Sequence, residues 1–189
     1  PTNCSTATVE VTVGAAPIAA ENDTYGPVNG YDGNSNVGNA LDNDSFNGGT
    51  PASLDDVDIA VTSPATPVNP GDPVPVLDPA TGIVSVPAGT PAGSYTIGYE
   101  ICDELNPTTN CDGATISVTV DPPVILANGD VAGPVNGATG GDAGINVLAN
   151  DELNGDPVIP GEVTLTSTPT AELTVNPDGT VTVTPGTPE

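Results

Sequence analysis

The sequence predicts an all-β fold of tandem β-sandwich repeats, and three observations carry that expectation. Short runs rich in Val, Ile and Thr alternate apolar and hydroxylated residues with period 2, as half-buried strands do. Glycine and proline, 23 and 22 of the 189 residues, punctuate those runs as turns. The same motifs return at a fixed separation, which makes the architecture repetitive.

Taken in order, residues 6–13, 114–120 and 180–184 alternate most regularly. Residues 55–62, 82–86, 95–102 and 162–167 are further strands, separated by Gly/Pro/Asn-rich turns. No segment of useful length carries a helical period. About seven strands in roughly 100 residues is the density of an immunoglobulin-like or cadherin-like sandwich. The apolar side chains are mostly Val, Ala, Ile and Leu, with one Phe, four Tyr and no Trp or Met. Each module therefore has a modest core and needs help from disulfides, metals or neighbours.

Gly26-Pro27-Val28-Asn29-Gly30 returns as Gly133-Pro134-Val135-Asn136-Gly137, an offset of 107. At the same offset Ile18, Ala20 and Asp23 return as Ile125, Ala127 and Asp130, and Leu41, Asn43 and Asp44 as Leu148, Asn150 and Asp151. Thr2-Asn3-Cys4 and Val11-Thr12-Val13 return as Thr109-Asn110-Cys111 and Val118-Thr119-Val120. Three segments follow from this: residues 1–13 as the last strand of a preceding repeat, 14–120 as a complete repeat, and 121–189 as a following repeat that stops before its last two strands. A second reading of the same pattern is strand complementation, in which residues 6–13 fill the last copy of another molecule.

The chain has no Lys, Arg or His against 25 Asp and Glu, a formal charge of −25. No side-chain salt bridge can form. Every carboxylate must be solvated, hydrogen-bonded to backbone or hydroxyl donors, or neutralised by a bound cation. Binding to nucleic acid or to an anionic membrane needs the cations this chain lacks. No stretch approaches the length of a membrane span, so direct membrane insertion is not expected either.

Cys102 and Cys111 flank an eight-residue connection between two strands. With Tyr95, Ile97, Tyr99 and Ile101 facing the core, Cys102 faces outward. With Ala114, Ile116, Val118 and Val120 facing the core, Cys111 does too. One antiparallel register, with Tyr99 beside Ala114 and Ile97 beside Ile116, satisfies both constraints and pairs the cysteines. A Cys102–Cys111 disulfide is expected, with free thiols or a metal pair as the alternative, and it implies an oxidising compartment. Cys4 is left over.

In a sandwich of this topology, Glu21-Asn22-Asp23 at the start of one strand approaches Asp42-Asn43-Asp44 at the end of the next. The second copy offers Asn128, Asp130, Asn150, Asp151 and Glu152 at the corresponding end, with Asp121 just before. Calcium takes six to eight oxygens from carboxylates, amides and carbonyls. Glu21, Asp23, Asp42, Asp44, Asp121, Asp130, Asp151 and Glu152 are therefore the expected metal ligands. The competing reading is that each Asn-Asp pair makes an ordinary turn. Asp103 and Glu104 point to the same end, whereas Asp55-Asp56-Val57-Asp58 reads as a solvated strand start. Asn22-Asp23-Thr24 and Asn43-Asp44-Ser45 also match the glycosylation pattern.

The segments Ala20-Glu21-Asn22-Asp23-Thr24, Asn146-Val147-Leu148-Ala149-Asn150-Asp151 and Asp178-Gly179-Thr180-Val181-Thr182-Val183 resemble bacterial cadherin-like and Ig-like adhesin repeats. Residues 95–102 through Asn110-Cys111 and 115–120 are similar to repeats of large Bacteroidota cell-surface proteins, including gliding-motility adhesins of the SprB type. The resemblance implies export by the type IX secretion system, display at the outer membrane of a Gram-negative cell, and attachment to surfaces or polysaccharide. Two roles follow as expectations: a calcium-stiffened stalk whose partners are neighbouring repeats, or a module binding sugar or another surface. Enzymatic activity is not expected, since only carboxylates could serve as acid and base.

Overall fold

The computed structural model describes residues 3–168 and 170–188. They divide into two compact units, Pro1–Pro122 and Pro123–Glu189. Both are all-β, and no helix among the described residues is long and apolar enough to cross a membrane.

Among the described residues, the first unit holds nine strands: β1 (Ile18–Ala19), β2 (Asp23–Asn29), β3 (Asn34–Asn39), β4 (Ser45–Phe46), β5 (Val57–Ser63), β6 (Val76–Leu77), β7 (Ile83–Val86), β8 (Gly93–Asp103) and β9 (Cys111–Asp121). They form a four-stranded sheet, β2-β9-β8-β5, a three-stranded sheet, β3-β7-β6, and a two-stranded ladder, β1-β4. The pairing of β2 with β9 is parallel and the others are antiparallel.

Alternation decides what each strand buries. Tyr95, Ile97, Tyr99 and Ile101 of β8 and Ile116, Val118 and Val120 of β9 are all buried, while Thr115, Ser117 and Thr119 between them are exposed. Val84 and Val86 of β7 and Leu77 of β6 meet them from the other sheet in one hydrophobic core. Each fully buried aliphatic side chain contributes about 1.5–3 kcal/mol relative to exposure.

The β8/β9 hairpin has the register expected from the sequence. Tyr99 stands opposite Ala114, Ile97 opposite Ile116, and Cys102 opposite Cys111. Cys102 and Cys111 form the disulfide. Its connection is tightened by Asp103, whose carboxylate accepts from Leu105 N at 2.9 Å and from the amides of Asn106 at 2.8 Å and Asn110 at 3.1 Å. Those bonds hold the Asp103 carboxyl below its ordinary pKa.

The second unit holds β10 (Ile125–Leu126), β11 (Gly141–Asn146), β12 (Glu152–Leu153), β13 (Asp156–Pro157), β14 (Leu173–Val175) and β15 (Thr180–Val183), arranged as β10-β12-β13 and β11-β15-β14. Its parts repeat the first unit closely. Asn39 donates to Thr81 O and accepts from Leu41 N; Asn146 donates to Asp178 O and accepts from Leu148 N. Asn47 and Asn154 both take positive φ, 50° and 54°. A Cβ on Gly30 would run into the Thr90 carbonyl, and one on Gly137 into the Thr187 carbonyl, so both copies need a bare backbone there.

Two expected strands are corrected. Residues 3–17 carry no strand, and Val9, Val11 and Val13 are 86, 75 and 88% exposed, because nothing among the described residues supplies a ladder partner. Thr2 of the repeated Thr2-Asn3-Cys4 triplet lies outside the described residues, as do Pro1, Pro169 and Glu189. Residues 162–167 form no strand beyond the bridge Pro160–Val163. In the first unit β8 holds β5, and no described segment of the second unit takes the place of β8.

Candidate functional site

The loops 21–23 and 42–44 of the first unit meet as their order in the chain requires. Asp23 opens β2, and Asp44 lies just before β4. The Asp44 carboxylate accepts from Glu21 N at 2.8 Å, and the Asn43 amide donates to Asn22 O at 3.1 Å. Asn22 in turn accepts from both the backbone N and the hydroxyl of Thr115 on β9, each at 2.9 Å, tying the loop to the sheet.

Tyr99 organises the centre. Its alternation on β8 points the ring into the core, and its length carries the hydroxyl through to the two loops. Five oxygens surround Tyr99 Oη: Glu21 O at 3.0 Å, Asp23 Oδ2 at 3.2 Å, Ala40 O at 3.2 Å, and Asp44 Oδ1 and Oδ2 at 3.1 Å each. A phenol has one proton to donate, so acceptors outnumber that donor. Tyr25 adds a second hydroxyl beside Asp23 Oδ1, at 3.0 Å, and Asn39 O, at 2.9 Å.

Burial makes the arrangement electrostatically consequential. Asp44 is 0% and Asp23 6% exposed. Desolvation pushes the Asp23 pKa up to about 6; the hydrogen bonds from Tyr25 and Tyr99 oppose that shift, and the charges of Asp44 and Asp42 add to it. Asp44 is raised for the same first reason, against the bonds from Glu21 N and Tyr99. Both tyrosine hydroxyls are pushed up, by burial and by the neighbouring carboxylates. The chain has no basic side chain to balance this pair. Charge neutrality there comes from a proton or from a cation out of solution.

The eight expected metal ligands fall into three groups. Asp23 and Asp44 converge with their side chains. Glu21 joins them through its backbone while its side chain is exposed, and Asp42 is exposed, contributing its charge to the Asp23 shift. Asp121 is an exposed residue at the end of β9, paired with Asn29 of β2.

In the second unit Asp151 accepts from Asn128 N at 2.7 Å and the Asn150 amide donates to Gly129 O at 3.3 Å, repeating the loop contacts of the first. Asp130 and Glu152 are exposed, and Glu152 sits in β12 opposite Leu126 and Pro157. No group of three or more Asp, Glu, His or Cys side chains among the described residues is placed to hold a metal ion. The oxygens around Tyr99 Oη come from two carboxylates, Asp23 and Asp44, and two backbone carbonyls, Glu21 and Ala40.

No protein-family model matches the chain. No curated protein matches it.

Tyr99 and Tyr25 were not among the expected site residues. The signal was available in the charge count, because a chain without basic residues must satisfy a buried carboxylate with amides and hydroxyls. The sequence does not show which hydroxyl reaches the carboxylates, since that depends on the depth of Tyr99 in the core.

Proposed function

We propose that the chain is a structural stalk segment of a long, secreted cell-surface adhesin, built from immunoglobulin-like or cadherin-like sandwiches and stiffened by calcium. The observation that carries this reading is the recurrence of one loop clamp in both units: Glu21 N to Asp44 and Asn128 N to Asp151, at the repeat offset. A fold that rebuilds the same small clamp along its chain suits a spacer better than a unique recognition surface.

Length supports the role. β8 and β9 are 11 residues each, so the sheet alone spans roughly 35 Å. A charge of −25 keeps neighbouring fibres apart. Calcium fits the donor chemistry of the Asp23–Asp44 pair, which offers hard oxygen ligands and excess negative charge.

The resemblance to Bacteroidota surface repeats extends the proposal to export by the type IX system and to surface attachment or gliding motility. A sugar- or surface-binding module is the second reading. A glycan array and a solid-surface adsorption assay on the whole chain separate the two. The stalk reading expects no saturable binding, and tight, competable binding to one glycan class would replace it with the second.

A further inference from the structure

Asparagine is followed by glycine at five places, Asn29, Asn47, Asn128, Asn136 and Asn154. Such a pair is chemically labile, because a residue without a Cβ lets its backbone nitrogen approach the preceding side-chain amide. The dipeptide is the same at all five, but its surroundings are not.

Four of these side chains are engaged. Asn29 Oδ1 accepts from Tyr31 N at 3.0 Å and Asp32 N at 3.4 Å, and the neighbouring Gly30 N donates to Asp121 O at 2.9 Å. Asn136 Oδ1 accepts from Ala138 N at 3.0 Å and Thr139 N at 3.2 Å. The Asn128 amide donates to Asn150 O at 2.6 Å, and Asn154 Oδ1 accepts from Val124 N at 2.9 Å. Each must break at least one hydrogen bond before its side chain can fold back on the main chain.

Asn47 is placed differently. It sits with Gly48 at the tip of a two-residue turn after β4, closed by Phe46 N to Gly49 O at 3.0 Å and Gly49 N to Phe46 O at 2.9 Å. Their φ values are 50° and 82°, the paired positive angles that Asn-Gly supplies in hairpin turns. Both residues are exposed, and neither the Asn47 side-chain amide nor Gly48 N makes a hydrogen bond among the described residues. The space is open as well, since a Cβ on Gly48 would meet no atom within 4 Å. We propose that Asn47 is a self-modification site, converting to aspartate and isoaspartate ahead of the other four asparagines.

The reaction consumes only water. Gly48 N gives its proton to solvent and attacks Asn47 Cγ; the new N–Cγ bond closes a cyclic imide as the Cγ–Nδ2 bond breaks, and Nδ2 takes a proton from solvent and leaves as ammonia. Water then adds to one of the two imide carbonyls. Opening at Cγ gives aspartate, and opening at the backbone carbonyl carbon gives isoaspartate. Either product adds one negative charge. Isoaspartate also lengthens the backbone by one carbon in the turn where Asn47 N donates to Pro17 O at 2.8 Å, beside the β1-β4 ladder.

The test incubates the full chain in mildly alkaline buffer made with heavy-oxygen water, once folded and once in concentrated urea. Peptic digestion and mass spectrometry then read each conversion as one incorporated heavy oxygen; trypsin has no Lys or Arg to cut. In the folded chain Asn47 is expected to convert about five- to tenfold faster than Asn29, Asn128, Asn136 and Asn154, the factor that one broken hydrogen bond imposes. In urea the five rates are expected to converge to within about twofold, because the folded surroundings are gone. Asn47→Gln, whose longer side chain does not close this ring, is expected to remove the signal there and leave the other four unchanged. A folded chain in which Asn47 reacts no faster than the others overturns the proposal. So does a lead of Asn47 that persists undiminished in urea, since its place in the fold would then not be the cause.

Discussion

Both carboxylate oxygens of Asp44 lie 3.1 Å from the hydroxyl of Tyr99, and neither residue is more than 1% exposed. A tyrosine rooted in the four-stranded sheet thus reaches the loops that lead into β2 and β4. The contact couples core packing to the charge state of the most buried acid among the described residues.

Removing that hydroxyl leaves the carboxylates with one donor fewer in the same burial. Tyr99→Phe is expected to destabilise the first unit by about 1–3 kcal/mol. Tyr95→Phe loses a single bond to Pro91 O, 2.7 Å, at an uncharged acceptor, and is expected to cost about 0.5–1.5 kcal/mol. Urea unfolding of the two variants compares them directly.

The pKa of Asp23, raised from 3.8 to about 6, fixes a pH dependence in metal-free solution. The folded state binds the proton more tightly than the unfolded chain does, so stability rises as pH falls from about 7 through 6 toward 4. The gain is on the order of 2–3 kcal/mol at 1.36 kcal/mol per unit. Asp44 shifts in the same direction. The lowered carboxyls, Asp103 and Asp178, act oppositely, but their contribution is lost only below that window, as pH falls through their folded values. Urea midpoints across this range, with Asp23→Asn expected to flatten the slope, check the sign.

The Cys102–Cys111 bond closes a short loop, with a sequence separation of 9. Replacing both cysteines with serine is expected to cost about 2–3 kcal/mol if loop entropy governs. Alkylation without reduction, read by mass spectrometry, is expected to label Cys4 alone.

Much of this fold was legible because alternation is a local property. The burial of Tyr95, Ile97, Tyr99 and Ile101, and the register that places Cys102 opposite Cys111, follow from period 2 and one constraint on the cysteines. The approach of 21–23 to 42–44 follows from strand order. What was missed depends on partners. Residues 6–13 and 162–167 have strand composition, but a ladder needs a neighbour, and composition does not say whether one is present. The parallel pairing of β2 with β9 joins segments about 90 residues apart and left no local trace. Among the acids, sequence spacing separated neither Asp23 and Asp44, which are buried, from Asp42, which is exposed, nor the backbone role of Glu21 from that of its side chain.

Thermal unfolding of the chain after chelation, and then with calcium or magnesium at matched ionic strength, tests the central claim most directly. A cation bound between Asp23 and Asp44 raises the melting temperature by mass action. The expected result is a saturable rise with calcium that magnesium does not match and that Asp44→Asn abolishes. Identical melting curves with and without calcium would contradict the account, leaving the carboxylate pair neutralised by a proton and the stalk stabilised by its core and disulfide alone.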